Sequence, residues 1–409
     1  MTLANADLPV EPQSARLGSW TSSLGYGLSF ALTRILASFA IVLTTSQTLA
    51  SGPFTRLSLG WLGNFEHWDS GWLAGIAQSG YTSAQATAFY PGFPIMMRAL
   101  SSLSGGKIGL LSAGVIIAWG SFALATVLLF KLVEEVFDRR AAIVSLVLLT
   151  GAPGSLFLVS AYSESTTLVL TVASSLLLQR KRFYLAAIFA GAAAAVSPIG
   201  AIFALAVFAF ALRSRLGLIR SIVLGVISEA GALCYALYLW FRFGNPLENL
   251  SVETLWQRHA VLPFSALLRN ITFLLTRRVN FAPLPLSPSN KNMLAVWVID
   301  DFAGVVALGV LICLVVKLVR NRGLGGLPID WVVFFVASLL AVSSSDITVI
   351  HNIPSTEAVA RLTDSVFAMF PIAYIVTRRF GVLLVPIIGI GAALAVTAQA
   401  LAILNYWIT

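Results

Sequence analysis

The stretch FYLAAIFAGAAAAVSPIGAIFALAVFAFAL, residues 183–212, decides how the chain is threaded through a membrane. It is long for one membrane-crossing helix and short for two, and Ser197, Pro198 and Gly200 lie at its middle. The number of helices formed here sets the parity of the crossings, and therefore the side on which every later loop lies.

The whole chain has the composition of an integral membrane protein. Of its 409 residues, 58% are hydrophobic and 11% are charged, whereas a soluble globular domain has about 25% charged residues. Apolar runs recur from residue 25 to the C-terminus, and each can cross roughly 30 Å of hydrocarbon as a helix. No stretch of domain size is left over, so we expect residues 1–409 to form one membrane domain.

We predict an all-α polytopic fold with about eleven transmembrane helices. The predicted helices lie near residues 25–48, 108–130, 141–159, 162–179, 183–197, 199–212, 219–241, 293–316, 329–344, 359–376 and 381–405. Residues 1–24 then form a cytoplasmic tail. Residues 1–20 lack the charged start and cleavage site of a secretory signal, so we expect the first helix to remain in the protein.

The distribution of basic residues favours two short helices that meet at Pro198. With that break, most Lys and Arg clusters fall on one side, which the positive-inside rule identifies as the cytoplasm. These clusters are Arg139–Arg140, Arg180–Arg182, Arg213 with Arg215 and Arg220, Lys317 with Arg320 and Arg322, and Arg378–Arg379. Because the net charge of +9 is placed mainly in clusters between apolar runs, we expect no nucleic-acid partner.

This topology gathers three polar segments on the extracytoplasmic side. They are two long loops and a shorter segment, residues 49–107, 242–292 and 343–361. All three histidines lie on these segments, namely His67, His259 and His351. Polar groups gathered on one face favour an active site at that surface over a conduction path through the bilayer.

The first of these loops contains NFEHWDSGWLAGIAQSGY, residues 64–81. Glu66 and Asp69 are three residues apart, so on a helical turn both carboxylates face the same way, and Trp68 and Trp72 form a similar pair. A carboxylate beside aromatic rings suits a sugar-binding site, since the acid can take a hydroxyl proton while an indole packs on the sugar. The alternative interpretation is an interfacial aromatic belt with solvated carboxylates.

The end of the same loop, GYTSAQATAFYPGFPIMMRAL at residues 80–100, combines aromatic residues and prolines. We predict interfacial helices here that lie along the membrane surface and do not span it.

Together, HWDSGWLAGIAQSGY and AFYPGFPIMMR resemble the first luminal loop of the PIG-V-type mannosyltransferases, which add the second mannose of GPI anchors, and of their bacterial relatives. Three later stretches match in the same order: SAYSESTTLVL at residues 160–170, FRFGNPLENLSVETLWQRH at residues 241–259 and ARLTDSVFAMFPI at residues 360–372. The resemblance implies a GT-C glycosyltransferase fold and a polyprenyl-phosphate sugar donor.

The resemblance also implies roles for individual residues. Asp69 matches the acidic residue that GT-C enzymes use as catalytic base, Tyr162 and Glu164 match a Tyr-Ser-Glu turn, and Arg361 matches a basic residue before the last aromatic-proline stretch. The chain departs from the family pattern at two positions. Ser197 stands where an Arg often precedes the proline, and Leu362 stands where an aromatic residue often follows the Arg.

We expect Arg361 to bind the phosphate of a lipid-linked substrate, because a guanidinium offers a planar fork of donors to phosphate oxygens. The alternative is an arginine at a helix end that pairs with Asp364. Arg258 and His259 are weaker candidates for binding the same phosphate. The alternative is that both are solvated loop residues.

Other candidate substrate-binding residues also have structural explanations. Glu164 at the start of a helix is favoured by the helix dipole. His351 is a candidate for a contact with a headgroup or a metal, and the alternative is a loop histidine that binds neither. Glu66, His67, Trp68, Trp72 and Tyr162 complete the predicted substrate site.

The sequence therefore predicts a mannosyltransferase that moves mannose from a polyprenyl-phosphate donor to a hydroxyl of a membrane glycolipid, with inversion. Glu66 and Asp69 could supply oxygen ligands to Mg²⁺ or Mn²⁺, but a monophosphate donor requires no metal. We expect the site on the extracytoplasmic face of a bacterial plasma membrane, or in the endoplasmic reticulum membrane of a eukaryote. The alternative from another class is a transporter or lipid flippase.

Overall fold

The computed structural model describes residues 20–48, 60–256, 258–276, 288–349, 353–355 and 359–403, and over these residues the chain is mainly helical. In chain order the helices are α1 (Trp20–Thr48), α2 (Asp69–Ser79), α3 (Gly92–Leu103), α4 (Leu110–Val136), α5 (Arg139–Thr150), α6 (Glu164–Gln179), α7 (Phe183–Val196), α8 (Pro198–Arg213), α9 (Leu218–Ser228), α10 (Ala230–Phe243), α11 (Glu248–Ser251), α12 (Ser265–Thr276), α13 (Pro288–Arg320), α14 (Ile329–Ser343), α15 (Val359–Asp364), α16 (Met369–Thr377) and α17 (Gly381–Ile403).

Within the described residues, four helices are long and apolar enough to cross a membrane alone. They are Trp20–Thr45, Leu110–Val136, Val298–Arg320 and Leu384–Ile403. Helices α9 and α10 pass the same test as a pair bent by 57°, and α7, α8 and α14 are shorter apolar helices. The chain is thus an integral membrane protein, while the predicted number of about eleven transmembrane helices stays a prediction.

The structure confirms the break in the stretch that opened the sequence analysis, because α7 ends at Val196 and α8 begins at Pro198. Proline suits the first position of a helix, where its missing N–H has no intrahelical partner. Ser197 caps α8, since its Oγ accepts a hydrogen bond of 3.1 Å from the backbone N–H of Gly200. The cap and the proline together start a second helix here.

Three predicted spans are not continuous helices, and one of them, predicted at 359–376, is divided between α15 and α16. The span predicted at 141–159 ends as a helix at Thr150, and residues 151–163 form irregular turns before α6. Gly154 lies in these turns, and a Cβ atom there would lie 2.4 Å from the carbonyl oxygen of Ala360. The close approach of two backbones explains why a glycine is needed at this position. The span predicted at 219–241 bends between α9 and α10.

A small antiparallel sheet corrects the prediction of an all-α fold. Strands β1 (Arg258–Ala260), β2 (Ser345–Val349) and β3 (Ile353–Ser355) pair in that order, with His259 opposite Asp346. Strands this short carry no hydropathy period long enough to detect. The sheet joins the second long loop to the segment that leads toward α15.

Helix α6 lies at the centre of the bundle and is buried along most of its length. A cluster of large aromatic residues packs beside it, including Phe203 edge-on to Phe334 with ring centroids 4.8 Å apart. Phe367, between α15 and α16, packs against the same Phe334 at 5.6 Å. This packing holds the segment after α15 against α8 and α14, and the candidate site lies beside that segment.

Candidate active site

The backbone turns sharply immediately before Asp69. Trp68 has a φ angle of 32°, which is unusual for a residue with a Cβ atom, and α2 begins at Asp69. The buried hydroxyl of Tyr162 spans the turn, because it accepts from the backbone N–H of Asp69 at 3.2 Å and donates to the carbonyl oxygen of His67 at 3.1 Å. Tyr162 therefore holds the backbone on both sides of the turn and so positions Asp69 at the start of α2.

Three charged residues from distant parts of the chain meet in one cluster. Arg361 Nη1 donates to Asp69 Oδ2 at 2.5 Å, and Arg361 Nε lies 3.0 Å from Glu164 Oε1. The guanidinium carbon is 5.4 Å from the centre of the Tyr162 ring. A guanidinium can serve two carboxylates at once because its donors form a fixed planar fork.

The cluster is only partly exposed, with side-chain exposures of 22% for Asp69, 16% for Arg361 and 5% for Glu164. Two carboxylates against one guanidinium leave an excess of one negative charge when all three groups are ionised. Asp69 Oδ1 accepts no hydrogen bond from any described residue, so one oxygen of Asp69 is available to a substrate.

A cavity of about 180 Å³ opens beside the cluster. Asp69, Glu164 and Arg361 form one part of its wall, and Arg258 and Trp256 from the second long loop form another. Because the wall combines an available carboxylate, two guanidinium groups and indole rings, the cavity suits a ligand that carries both a phosphate and a sugar.

The same cavity is lined by both positions at which the chain departs from the family pattern, Ser197 and Leu362. Ser197 is occupied as a helix cap, and its Oγ also accepts a hydrogen bond of 2.8 Å from Thr167. The position that often carries an arginine thus holds a small, satisfied hydroxyl here, which leaves that part of the cavity uncharged.

An aromatic wall borders the cavity and contains two residues that the sequence prediction missed, Phe89 and Trp256. The Trp72 ring lies parallel to the Phe89 ring with centroids 6.0 Å apart, and the Trp256 ring stands edge-on to Trp72 at 5.4 Å. Trp68 lines the cavity directly, whereas Trp72 lines a neighbouring shallow groove. The sequence did carry one signal for Trp256, because it lies two residues before Arg258, a predicted site residue.

Glu66 and His67 lie behind the site, and neither lines the cavity. Glu66 precedes the Trp68 turn, so it does not share a helical face with Asp69 as the three-residue spacing predicted. Both its carboxylate oxygens are buried without a hydrogen bond from the described residues, and burial raises the pKa of Glu66 to about 7. Burial lowers the pKa of His67 to about 4.

The remaining predicted residues divide into three cases. Arg258 lines the cavity and pairs with Glu253 at 3.2 Å. His259 is exposed on β1 and lies outside the cavity wall, and His351 lies outside the described residues. Among the described residues, no three or more His, Cys, Asp or Glu side chains are grouped as metal ligands.

The alternative partner proposed for Arg361 is wrong. Asp364 does not pair with Arg361, whose ion-pair partners are Asp69 and Glu164. The carboxylate of Asp364 instead lies beside Gly154, where a Cβ atom would be 2.9 Å from Asp364 Oδ2. Residues three apart on a helix normally face the same side, but here the two side chains have different neighbours.

One comparison with known proteins, the match to a family profile, agrees with the family resemblance. Residues 26–227 match the profile of the family described as mannosyltransferase (PIG-V). No curated protein matches the chain. Among solved structures, the chain is similar to the Archaeoglobus fulgidus oligosaccharyltransferase, crystallised in complex with zinc and sulfate, at 16% identity and a TM-score of 0.45. The match covers 92% of this chain and 53% of that one, so the chain spans about half the length of the oligosaccharyltransferase.

Proposed function

We propose that this chain, whose residues 26–227 match the PIG-V mannosyltransferase family, transfers mannose from a polyprenyl-phosphate carrier to a hydroxyl of a membrane glycolipid. The fold is of the GT-C type, and the reaction takes place in the cavity beside Asp69 on the extracytoplasmic face. In a bacterium this face is the outer side of the plasma membrane.

The reaction is a single displacement at the anomeric carbon. The acceptor hydroxyl oxygen attacks that carbon from one side, and the bond to the donor phosphate oxygen breaks on the other side, so the configuration inverts. Asp69 takes the hydroxyl proton on Oδ1 as general base. The bonding electrons leave with the phosphate, which departs as polyprenyl phosphate.

Two arginines provide positive charge for the departing phosphate. Arg361 and Arg258 both line the cavity, and each is already paired with carboxylates. Pairing holds the guanidinium groups in fixed directions before the substrate enters, which is the condition for stabilising charge in a transition state. The sugar packs against the indole of Trp68 or Trp256.

The observation that carries this proposal is the ion cluster of Asp69, Arg361 and Glu164 at the wall of the cavity. Charged side chains buried in a membrane protein cost free energy, and they usually mark a functional site. The cluster brings together residues from three stretches that resemble the family, and it leaves one Asp69 oxygen available.

The test is transfer of labelled mannose from synthetic polyprenyl-phosphate mannose to total membrane lipid. Purified wild type is compared with Asp69→Asn, which has nearly the same shape but cannot accept the proton. Glu248→Gln is the matched control, because it neutralises a carboxylate of the second loop that does not line the cavity. Digestion of the product with α- and β-specific mannosidases reports its anomeric configuration.

We expect labelled lipid with wild type and with Glu248→Gln, and a loss of about a thousandfold or more with Asp69→Asn. Equal labelling by wild type and Asp69→Asn would remove Asp69 from the chemistry. If wild type labels nothing with several lipid-linked sugar donors, the transporter or flippase becomes the better interpretation, and movement of the donor across vesicles tests it.

A further inference from the structure

Arg361 lies on a helix that is too short to hold itself in place. Helix α15 has six residues, Val359–Asp364, and isolated helices of that length are not stable. The position of the guanidinium between Asp69 and Glu164 must therefore be set by contacts from other parts of the bundle.

A buried carboxylate from another helix binds the first turn of α15. Asp300 of α13 is 1% exposed, and its Oδ1 accepts a hydrogen bond of 2.8 Å from the backbone N–H of Ala360. Ala360 is the residue directly before Arg361. A carboxylate near the first turn of a helix is favoured by the free N–H groups and by the helix dipole.

The other end of α15 is also buried. Asp364 is 3% exposed, and Arg34 of α1 is buried in the same bundle. Arg34 is itself fixed by hydrogen bonds to Ser38 at 2.7 Å, Ser155 at 3.1 Å and Gln399 at 3.1 Å. The hydrogen bond from the Ala360 N–H to Asp300 of α13 is thus a contact from outside α15 that holds its first turn.

We infer that Asp300 is a positioning residue for Arg361: its hydrogen bond to the Ala360 N–H fixes α15 so that the guanidinium reaches Asp69 and Glu164 together. Asp300 does not line the cavity, so it acts through the backbone and not on the substrate. The kinetic part of the test rests on the proposed function, whereas the hydrogen-exchange part does not.

The first experiment compares Asp300→Ala with Asp300→Asn. Alanine removes the acceptor, whereas asparagine keeps an oxygen at the same distance from Cα. We expect Asp300→Ala to lower kcat about 10- to 100-fold with the KM for donor changed less than about threefold, because a small misplacement of a catalytic group costs rate more than binding. Asp300→Asn should keep kcat within about threefold of wild type.

A matched control lies next to Asp300 on the same helix. Asp301 is also buried, and its Oδ1 accepts a hydrogen bond of 3.1 Å from Asn270 of α12, whereas the Ala360 N–H donates to Asp300. Asp301→Ala therefore removes a buried carboxylate without removing the Ala360 hydrogen bond. We expect it to change stability but to leave kcat within about threefold of wild type.

A double-mutant cycle separates positioning from a general loss of structure. If Asp300 acts through Arg361, adding Asp300→Ala to the Arg361→Lys variant should lower kcat by less than a further factor of about three. Losses that multiply in the double variant would overturn the inference. If Asp300→Ala does not fold, Asp300→Ser replaces it in the cycle, since a serine side chain is too short to reach the Ala360 N–H.

Hydrogen exchange of the peptide that covers residues 359–364 tests the same contact without using activity. We expect faster exchange in Asp300→Ala than in wild type, and wild-type exchange in Asp300→Asn and Asp301→Ala. Unchanged exchange in Asp300→Ala would overturn the inference even if the enzyme is active. If the wild-type protein transfers no sugar but Asp300→Ala still exchanges faster than wild type, the contact is retained and only the proposed function is removed.

Discussion

Arg361 and Asp69 are 292 positions apart in the chain, and Arg361 Nη1 donates a hydrogen bond of 2.5 Å to Asp69 Oδ2. The same guanidinium lies 3.0 Å from Glu164 through Nε. One cation therefore joins the first loop, the start of α6 and α15. The proposed general base and the proposed phosphate-binding group are thus parts of one ion cluster.

Arg361→Lys should lower kcat about 100-fold or more, because an ammonium is a point charge that cannot present the planar fork to two carboxylates and a phosphate. Initial rates with labelled donor measure this. The matched control is Arg98→Lys, which alters an exposed arginine of α3 that does not line the cavity beside Asp69. If Arg361→Lys keeps half of the wild-type rate, the cluster is not needed for the chemistry.

Trp256→Ala should raise the KM for the sugar-bearing substrate about tenfold, whereas kcat should change less. The indole lines the cavity and packs edge-on against Phe89 with centroids 5.8 Å apart, and a sugar loses an apolar contact when the ring is removed. Trp256→Phe should retain most of the affinity. Saturation curves for both variants test this, and equal KM values for Trp256→Ala and wild type would contradict it.

Glu66→Gln should increase stability at high pH relative to wild type. Burial raises the pKa of Glu66 from an ordinary value of 4.5 to about 7, so the folded state binds this proton more tightly than the unfolded state. The favourable contribution is complete below pH 4.5 and is lost as the pH rises through 7. The amide in Glu66→Gln does not titrate, so the variant does not lose this contribution as the pH rises.

We therefore expect the stability difference between Glu66→Gln and wild type to grow by on the order of 2 kcal/mol from pH 4.5 to pH 8. Unfolding midpoints in detergent across this pH range measure it. His67 titrates in both proteins, so its opposite pH dependence cancels in the difference. A difference that stays constant with pH would show that Glu66 does not titrate in this range.

Gly200→Ala should destabilise the break between α7 and α8. A Cβ atom at Gly200 would lie 2.0 Å from the carbonyl oxygen of Ala193, which is a backbone atom and cannot rotate away. We expect a loss of about 1 to 3 kcal/mol, seen as a lower unfolding midpoint. Gly120→Ala is the control, because a Cβ atom on that α4 residue meets nothing within 4 Å.

The fold could be predicted where the sequence carries local backbone signals. Pro198 lies at the middle of residues 183–212, and the placement of the Lys and Arg clusters favours a break there, so the division into two helices could be predicted. Residues 151–163 are as apolar as many helices, and hydropathy predicted a longer helix there. The close contact of Gly154 with Ala360 that explains the irregular turns depends on α15, which is about 200 residues away.

The candidate site was predicted residue by residue but not as an arrangement. Asp69, Glu164 and Arg361 stand in stretches that resemble a known family, yet nothing in the sequence indicates that one guanidinium serves both carboxylates. Glu66 was placed beside Asp69 because a three-residue spacing faces one way on a helix. The positive φ of Trp68 lies between the two residues, and the hydroxyl of Tyr162, far away in the sequence, hydrogen-bonds to both sides of that turn.

The small sheet of β1, β2 and β3 has a consequence for how such a cavity can change during evolution. Backbone groups connect the strand that bears Arg258 to the segment that ends four residues before α15. Hydrogen bonds between main chains do not depend on side-chain identity, so the exposed His259 and Ala260 can vary while both arginines keep their separation. Substitutions at these two exposed positions can thus accumulate without disturbing the backbone pairing that connects the two segments.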